Sequence, residues 1–158
     1  MKGAFLPICI NVAEIKIVMI GGGNVALQKL TTLCLFAKNI SVYALDVLPT
    51  IKDLPLTFIE CEYTKKLLAG AKIVYACTNN RELNRSIGID AHSFGALVNV
   101  ADDPDNCDFI SPALFNRDEM SVAVSSNGKK AKQSVLWRDA IASSFKSGDL
   151  YKKLIQNL

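Results

Sequence analysis

A chain of 158 residues is long enough to bury one substantial core and too short for a second full domain. Half of the residues are hydrophobic and 21% are charged, which excludes a disordered tail and a collagen-like or mucin-like sequence. The net charge of +3 is lopsided: residues 129–158 hold seven Lys or Arg against Asp139 and Asp149, so that segment is +5 and the remainder −2.

The apolar run Ala4 to Val12 is broken by Pro7 and Asn11 and lacks a basic leader and a small-residue cleavage site, so neither secretion nor a membrane span is expected. Cys9, Cys34, Cys61, Cys77 and Cys107 are odd in number and scattered, with no C-x-x-C pair and no neighbouring histidine to complete a zinc site. They read as buried thiols of a reducing cytoplasm, and no metal site is expected. The basic C-terminal stretch has no interleaved aromatics, so nucleic acid is not an expected partner; a solvated face and an anionic ligand are its two readings.

The first predicted element is the β-branched run Ile15 to Ile20, which looks like a strand buried on both faces and ends at Gly21-Gly22-Gly23. A helix follows over Asn24 to Ala37, with Val25, Ala26, Leu30 and Leu33 on its apolar side and Gln28 and Lys29 on the other. Ile40 to Leu45 is a second strand. The runs Leu56 to Ile59 and Lys72 to Thr78 are further strands, separated by a short helix around Thr64 to Ala69. A helix from Arg81 to Ser93 leads into a strand at Ala96 to Val100. Strands alternating with helices at this spacing predict a parallel sheet of right-handed βαβ units, an α/β Rossmann-like fold over the first 100 residues. The rhythm then changes. Ala113 to Phe115 and Met120 to Ser126 read as two strands joined through Asn116-Arg117-Asp118, followed by a helix from Ala131 to Phe145. The expected division is a dinucleotide-binding domain over 1–112 and a strand-helix appendage over 113–158.

Gly21 to Ala26 fits G-x-G-x-x-A: Gly21 permits the tight turn, Gly23 lets backbone approach a pyrophosphate, and Ala26 allows close helix packing. The helix that opens there would aim free N–H groups and a positive dipole end at phosphates. Asp46, twenty residues beyond Ala26 and just past the second strand, is placed for a ribose 2′-hydroxyl and would repel a 2′-phosphate, which favours NAD over NADP; its alternative is a turn residue of the Asp-Val-Leu-Pro loop. Thr78-Asn79-Asn80 ends the fourth strand, where it either faces the cofactor or supplies Asn80 as a helix cap. After the fifth strand, Asp102, Asp103, Asp105 and Asp108 crowd one loop. Such a cluster either holds a proton-accepting carboxylate or is turn chemistry built on Asp103-Pro104-Asp105-Asn106.

These segments together resemble a known family. Phe5-Leu6-Pro7, Ile17 to Lys29 (IVMIGGGNVALQK), Tyr75 to Arg85 (YACTNNRELNR), Leu97 to Leu114 (LVNVADDPDNCDFISPAL) and Met120 to Lys129 (MSVAVSSNGK) occur in the order found in precorrin-2 dehydrogenases, the dehydrogenase and ferrochelatase domain of sirohaem synthases. The resemblance implies NAD-dependent oxidation of the tetrapyrrole precorrin-2 to sirohydrochlorin, in sirohaem or cobalamin synthesis, with metal insertion in some members. It implies NAD contacts at Asn24, Val25, Leu45 and Asp46, and a catalytic aspartate at Asp102, with Asp103 second to it. Ser126 matches a serine phosphorylated in at least one relative; read from the residues it is a turn hydroxyl before Asn127-Gly128. The substrate is rich in carboxylates, so Arg117, Ser126, Lys129 and Lys130, with Lys132, are candidate substrate contacts. Relatives dimerise through the segment after the sheet, here Ala113 to Phe145, so a homodimer is expected.

Two departures qualify the resemblance. Relatives usually read Gly-Gly-x-Ser-Pro where this chain has Asn127-Gly128-Lys129-Lys130-Ala131, and they continue with a further helical segment past the position of Leu158. The tetrapyrrole site is then either open or completed by a partner, and the competing reading is a non-catalytic NAD- or tetrapyrrole-binding module that works with another enzyme. An NAD-sensing regulatory domain would account for the glycine loop but not for Asp102 to Phe109. His92, the only histidine, is expected to end its helix rather than bind metal.

Overall fold

The structure, a computed structural model, describes residues 4–101, 103–146 and 148. Two compact units emerge, Met1–Ile110 and Ser111–Leu158.

The first unit runs β1 (Lys16–Ile20), α1 (Asn24–Leu33), β2 (Ile40–Ala44), α2 (Pro49–Lys52), β3 (Thr57–Glu60), β4 (Ala71–Ala76), α3 (Arg81–Ser93) and β5 (Leu97–Val100). The strands form one parallel sheet in the order β3-β2-β1-β4-β5. After β3 the chain crosses back over the sheet to place β4 on the other side of β1, so the strand order reverses between β1 and β4. In open parallel sheets that is where the crevice for a ligand opens, outside the carboxyl ends of the strands.

β1 lies at the centre, and its alternating side chains feed two cores. Ile17 and Met19 join Leu30, Val42, Ile51 and Tyr75 on one face; Val18 and Ile20 join Val74, Ile87, Val98 and Val100 on the other. Burial of each large aliphatic chain here contributes about 1.5–3 kcal/mol, so the central strand and the helices against it set where β1 ends. That end is the glycine turn.

The local differences from expectation have simple causes. Helix α1 stops at Leu33 instead of Ala37, because the chain turns, with the N–H groups of Phe36 and Ala37 donating to Leu33 O at 3.0 and 2.9 Å, to bring Ala37 and Ile40 into the core. The helix expected around Thr64 to Ala69 is a single 3-10 turn, Lys65–Leu68, whose Leu68 is buried. Helix α2, which the sequence did not announce, starts with Pro49 and buries Ile51.

The second unit comprises the antiparallel hairpin β6 (Ala113–Arg117) and β7 (Met120–Val124), followed by α4 (Ala131–Lys146). The hairpin turn is Asp118-Glu119, not Asn116 to Asp118. Arg117 still pairs with Met120, and Asp118 takes the left-handed conformation (φ 52°) that Asp tolerates better than most side chains. Arg138 donates to Leu114 O at 3.1 Å, and the Phe115 and Phe145 rings lie 5.7 Å apart, which ties α4 to β6.

Candidate dinucleotide site

Three loops meet on two glycines at the carboxyl edge of the sheet. Gly21, at φ +120°, donates to Tyr43 O at 2.8 Å, and a Cβ there would fall 2.4 Å from Cys77 O, the residue after β4. A Cβ on Gly22 would fall 2.5 Å from Asp46 O and 2.8 Å from the Cα of Val47; Leu48 N–H bonds Gly22 O at 3.0 Å. Gly21 therefore lets β4 approach β1, and Gly22 lets the loop after β2 fold onto the turn. The G-x-G-x-x-A pattern assigns the tight turn to Gly21 and the backbone approach to Gly23 and gives Gly22 no role; the unbroken triplet is its only signal in the sequence.

Gly23 is different, since a Cβ built on it meets nothing within 4 Å. It occupies the N-cap of α1, with no side-chain cap bond and no acidic residue in the first turn. Asn24 and Val25 are exposed and Ala26 is buried beneath them. The first N–H groups of a helix have no intrahelical partner and carry its positive dipole end. Here they start beside a glycine with open space over it, with nothing negative in the helix's first turn, an arrangement suited to a pyrophosphate.

The flanks of this turn are built by residues that the sequence did not single out. Leu45 and Asp46 are exposed at the end of β2. Glu60 of β3 accepts the Val47 N–H at 3.3 Å and pairs with Lys52 at 2.7 Å, so it steadies the loop that carries Asp46. The Lys52 contact and the Val47 N–H hold the Glu60 carboxyl below its ordinary range. On the other side, buried Asn84 clamps Thr78. Asn84 Oδ1 accepts both the Thr78 N–H at 2.9 Å and the Thr78 hydroxyl at 2.7 Å, and Asn84 Nδ2 donates to Thr78 O at 2.9 Å. Asn80 caps α3 by accepting the Leu83 N–H at 3.0 Å. Gly21, Gly23, Asn24, Val25, Leu45, Asp46 and Thr78 thus share the carboxyl edge of β1, β2 and β4.

The acidic loop after β5 divides into different jobs. Asp102 lies outside the described residues. Asp103 is buried, accepts from Asn106 Nδ2 at 2.8 Å and has Arg85 NH2 at 3.8 Å. Asp108 Oδ2 accepts the Val98 N–H at 2.8 Å and bonds His92 Nε2 at 2.8 Å. His92 therefore anchors this loop to the end of α3, and no cluster of three metal-ligating side chains occurs among the described residues. Of the five cysteines expected to be buried, only Cys77 is fully so and Cys9 is exposed; the Cys107 thiol, half-buried, contacts both the N–H and the carbonyl of Val100, at 3.1 and 3.2 Å, and burial pushes its pKa up. Lys29, expected on the outer face of α1, instead folds inward to 5.5 Å from the Tyr75 ring centroid, and Phe109 meets the same ring edge-on.

The candidate substrate contacts belong to the second unit. Arg117 NH1 donates to Phe145 O at 2.6 Å, and Ser126 Oγ accepts the Lys130 N–H at 3.0 Å at the entry to α4. The side chains of Lys129 and Lys130 are exposed. A cavity of about 120 Å³ lined by Val124, Ser125, Ser126, Gln133, Ser134 and Trp137 adjoins this turn.

A parallel sheet of this order, with a glycine turn feeding an uncapped helix at the reversal of strand order, defines a Rossmann-type dinucleotide-binding domain. The profile of a family described as NAD(P)-binding matches residues 8–113, and the chain belongs to that family. Its relatives include the siroheme synthase of Chromobacterium violaceum, 35% identical over 128 residues that make up 78% of this chain and 27% of that protein. Siroheme synthase 2 of Aeromonas salmonicida is 31% identical over 141 residues, 88% of this chain and 29% of the relative. The chain thus spans less than a third of the length of these siroheme synthases. Among solved structures, the precorrin-2 dehydrogenase SirC superposes with a TM-score of 0.78 over 97% of this chain and 78% of its own, at 18% identity, and so shares the fold. No helix among the described residues is long and apolar enough to cross a membrane.

Proposed function

We propose that this chain is an NAD-dependent precorrin-2 dehydrogenase, which oxidises precorrin-2 to sirohydrochlorin for siroheme formation and works as a cytoplasmic homodimer. One observation carries the reading. Similarity to siroheme synthases runs over as much as 88% of the chain, so it extends past residues 8–113, which the dinucleotide-binding family accounts for, into the second unit.

When bound, the nicotinamide supplies the acceptor for a hydride from a substrate carbon, while the second hydrogen leaves as a proton. Each residue group then has a task. The N–H groups at the start of α1 hold the pyrophosphate, with Gly21, Gly23, Asn24 and Val25 forming its cradle. Leu45 and Asp46 flank the adenosine ribose, where the Asp46 carboxylate accepts from the hydroxyls and disfavours a 2′-phosphate, giving NAD preference over NADP. Thr78, fixed by Asn84, lines the opposite wall. Asp102, in the loop after β5, accepts the departing proton. Arg117, Ser126, Lys129 and Lys130 meet carboxylates of the tetrapyrrole, and the appendage over 113–158 forms the dimer contact.

Anaerobic incubation of the purified protein with precorrin-2 tests this directly. NADH and sirohydrochlorin should form in equal amounts, faster with NAD than with NADP, and Asp102→Ala should stop turnover while NAD still binds. A protein that binds NAD yet forms no sirohydrochlorin would overturn the catalytic assignment in favour of a partner-dependent module.

A further inference from the structure

One turn of α3 faces two parts of the candidate site. Asn84 points inward and fixes Thr78, while its chain neighbour Arg85 reaches the loop after β5, where its NH2 lies 3.8 Å from Asp103 Oδ2. The Asp103 side chain is only 6% exposed, and that of Arg85 is 63% exposed. An ionised carboxylate buried to this extent requires compensation. Asn106 supplies one hydrogen bond at 2.8 Å, and the Arg85 guanidinium, too far away for a hydrogen bond, adds an opposite charge. The charge of Arg85 is thus held in place by Asp103 while its N–H groups are not committed to it.

That arrangement differs from an ordinary surface ion pair, in which both side chains are solvated and neither is fixed. A guanidinium carries five N–H donors in a planar fork that matches a carboxylate in two-point contact. Its position selects the kind of anion it would meet. With the pyrophosphate at α1 and Asp46 at the end of β2, the rest of the dinucleotide would extend across β1 toward β4 and β5; Asp103 follows the carboxyl end of β5, and Arg85 reaches it from α3. The phosphates belong to the other side of the crevice. On the dehydrogenase reading, the nicotinamide end and the molecule to be oxidised meet at the ends of β4 and β5.

We propose that Arg85 is a substrate-binding residue, oriented by buried Asp103 to take a carboxylate of the tetrapyrrole at the rim of the crevice. The inference rests on the dehydrogenase reading above.

Three measurements on the full chain test it, made on the wild type, Arg85→Gln and Arg85→Lys: affinity for NAD, affinity for the product sirohydrochlorin by absorbance titration without cofactor, and kcat and KM for precorrin-2. Arg85→Gln should weaken sirohydrochlorin binding and raise KM by roughly tenfold, the loss of about one charge-assisted contact. The kcat and the NAD affinity should hold. Arg85→Lys should recover part of the loss, because the charge remains without the fork. Unchanged sirohydrochlorin affinity in Arg85→Gln beside a normally active wild type overturns the inference alone. An equal loss of NAD affinity also overturns it, since the anion would then be a phosphate of the dinucleotide. A wild type that binds NAD but not sirohydrochlorin overturns the dehydrogenase reading and this inference with it.

Discussion

Helices α1 and α3 begin in the same setting, each a few residues beyond the carboxyl end of a buried central strand, and their first turns are built in opposite ways. Helix α3 is closed: Asn80 accepts the Leu83 N–H, and Glu82 adds a negative charge to the first turn. Helix α1 has Gly23 at its N-cap, no side-chain cap and no acid in its first turn. A helix start with glycine at the N-cap forgoes a few tenths of a kcal/mol relative to a capping side chain. On one side of the strand-order reversal the sequence satisfies the helix internally, and on the other it leaves the same groups for a ligand.

The largest expected effect comes from disturbing the turn that separates the two helices. Gly21→Ala would set a Cβ 2.4 Å from Cys77 O at a positive φ, so the ends of β1 and β4 must part. We expect a loss of at least about 3 kcal/mol of stability in urea denaturation, together with loss of NAD binding. Next is a substitution that makes α1 resemble α3. Gly23→Asp meets no atom and sits at φ −90° and ψ −167°, which any residue adopts. It should raise stability by about 0.5–1 kcal/mol through capping and the helix dipole while weakening NAD binding at least about tenfold. Thermal denaturation and NAD titration of the same sample read the two opposed signs, and unchanged NAD affinity would remove α1 from the site. The smallest effect is the converse. Asn80→Ala should lower stability by about 1 kcal/mol and leave NAD affinity as it was; a large fall in affinity would mean that the capped end also serves the ligand.

What could be read from the sequence follows the range of the forces involved. The strands of the parallel sheet announce themselves because burial on both faces requires near-continuous apolar runs, and α3 was bounded at Arg81 and Ser93 as observed. The glycine turn is equally local. The residues that support it are not. Glu60 reaches the Val47 N–H from a different strand, Asn84 reads as one more polar residue in a helix, and Gly22 matters because of Asp46, which lies far along the chain. Lys29 shows the limit of helical periodicity: placed on the outer face by its spacing, it turns onto the Tyr75 ring because its long alkyl stem lets the ammonium reach inward. Asp103 was ranked only as a second acid. Its burial beneath Arg85 depends on how the loop after β5 folds back, which no spacing along the chain expresses.

Trp137 is the chain's single tryptophan and lies on α4, more than half exposed. Indole emission therefore comes from the second unit alone, while Tyr43, Tyr63 and Tyr75 are the described tyrosines of the first. An unfolding curve followed by tryptophan fluorescence traces the hairpin and α4, whereas far-ultraviolet ellipticity is dominated by the larger parallel-sheet unit. Recorded on one sample, the two signals report separately on the larger unit, which carries the dinucleotide site, and on the smaller one, which carries Lys129 and Lys130.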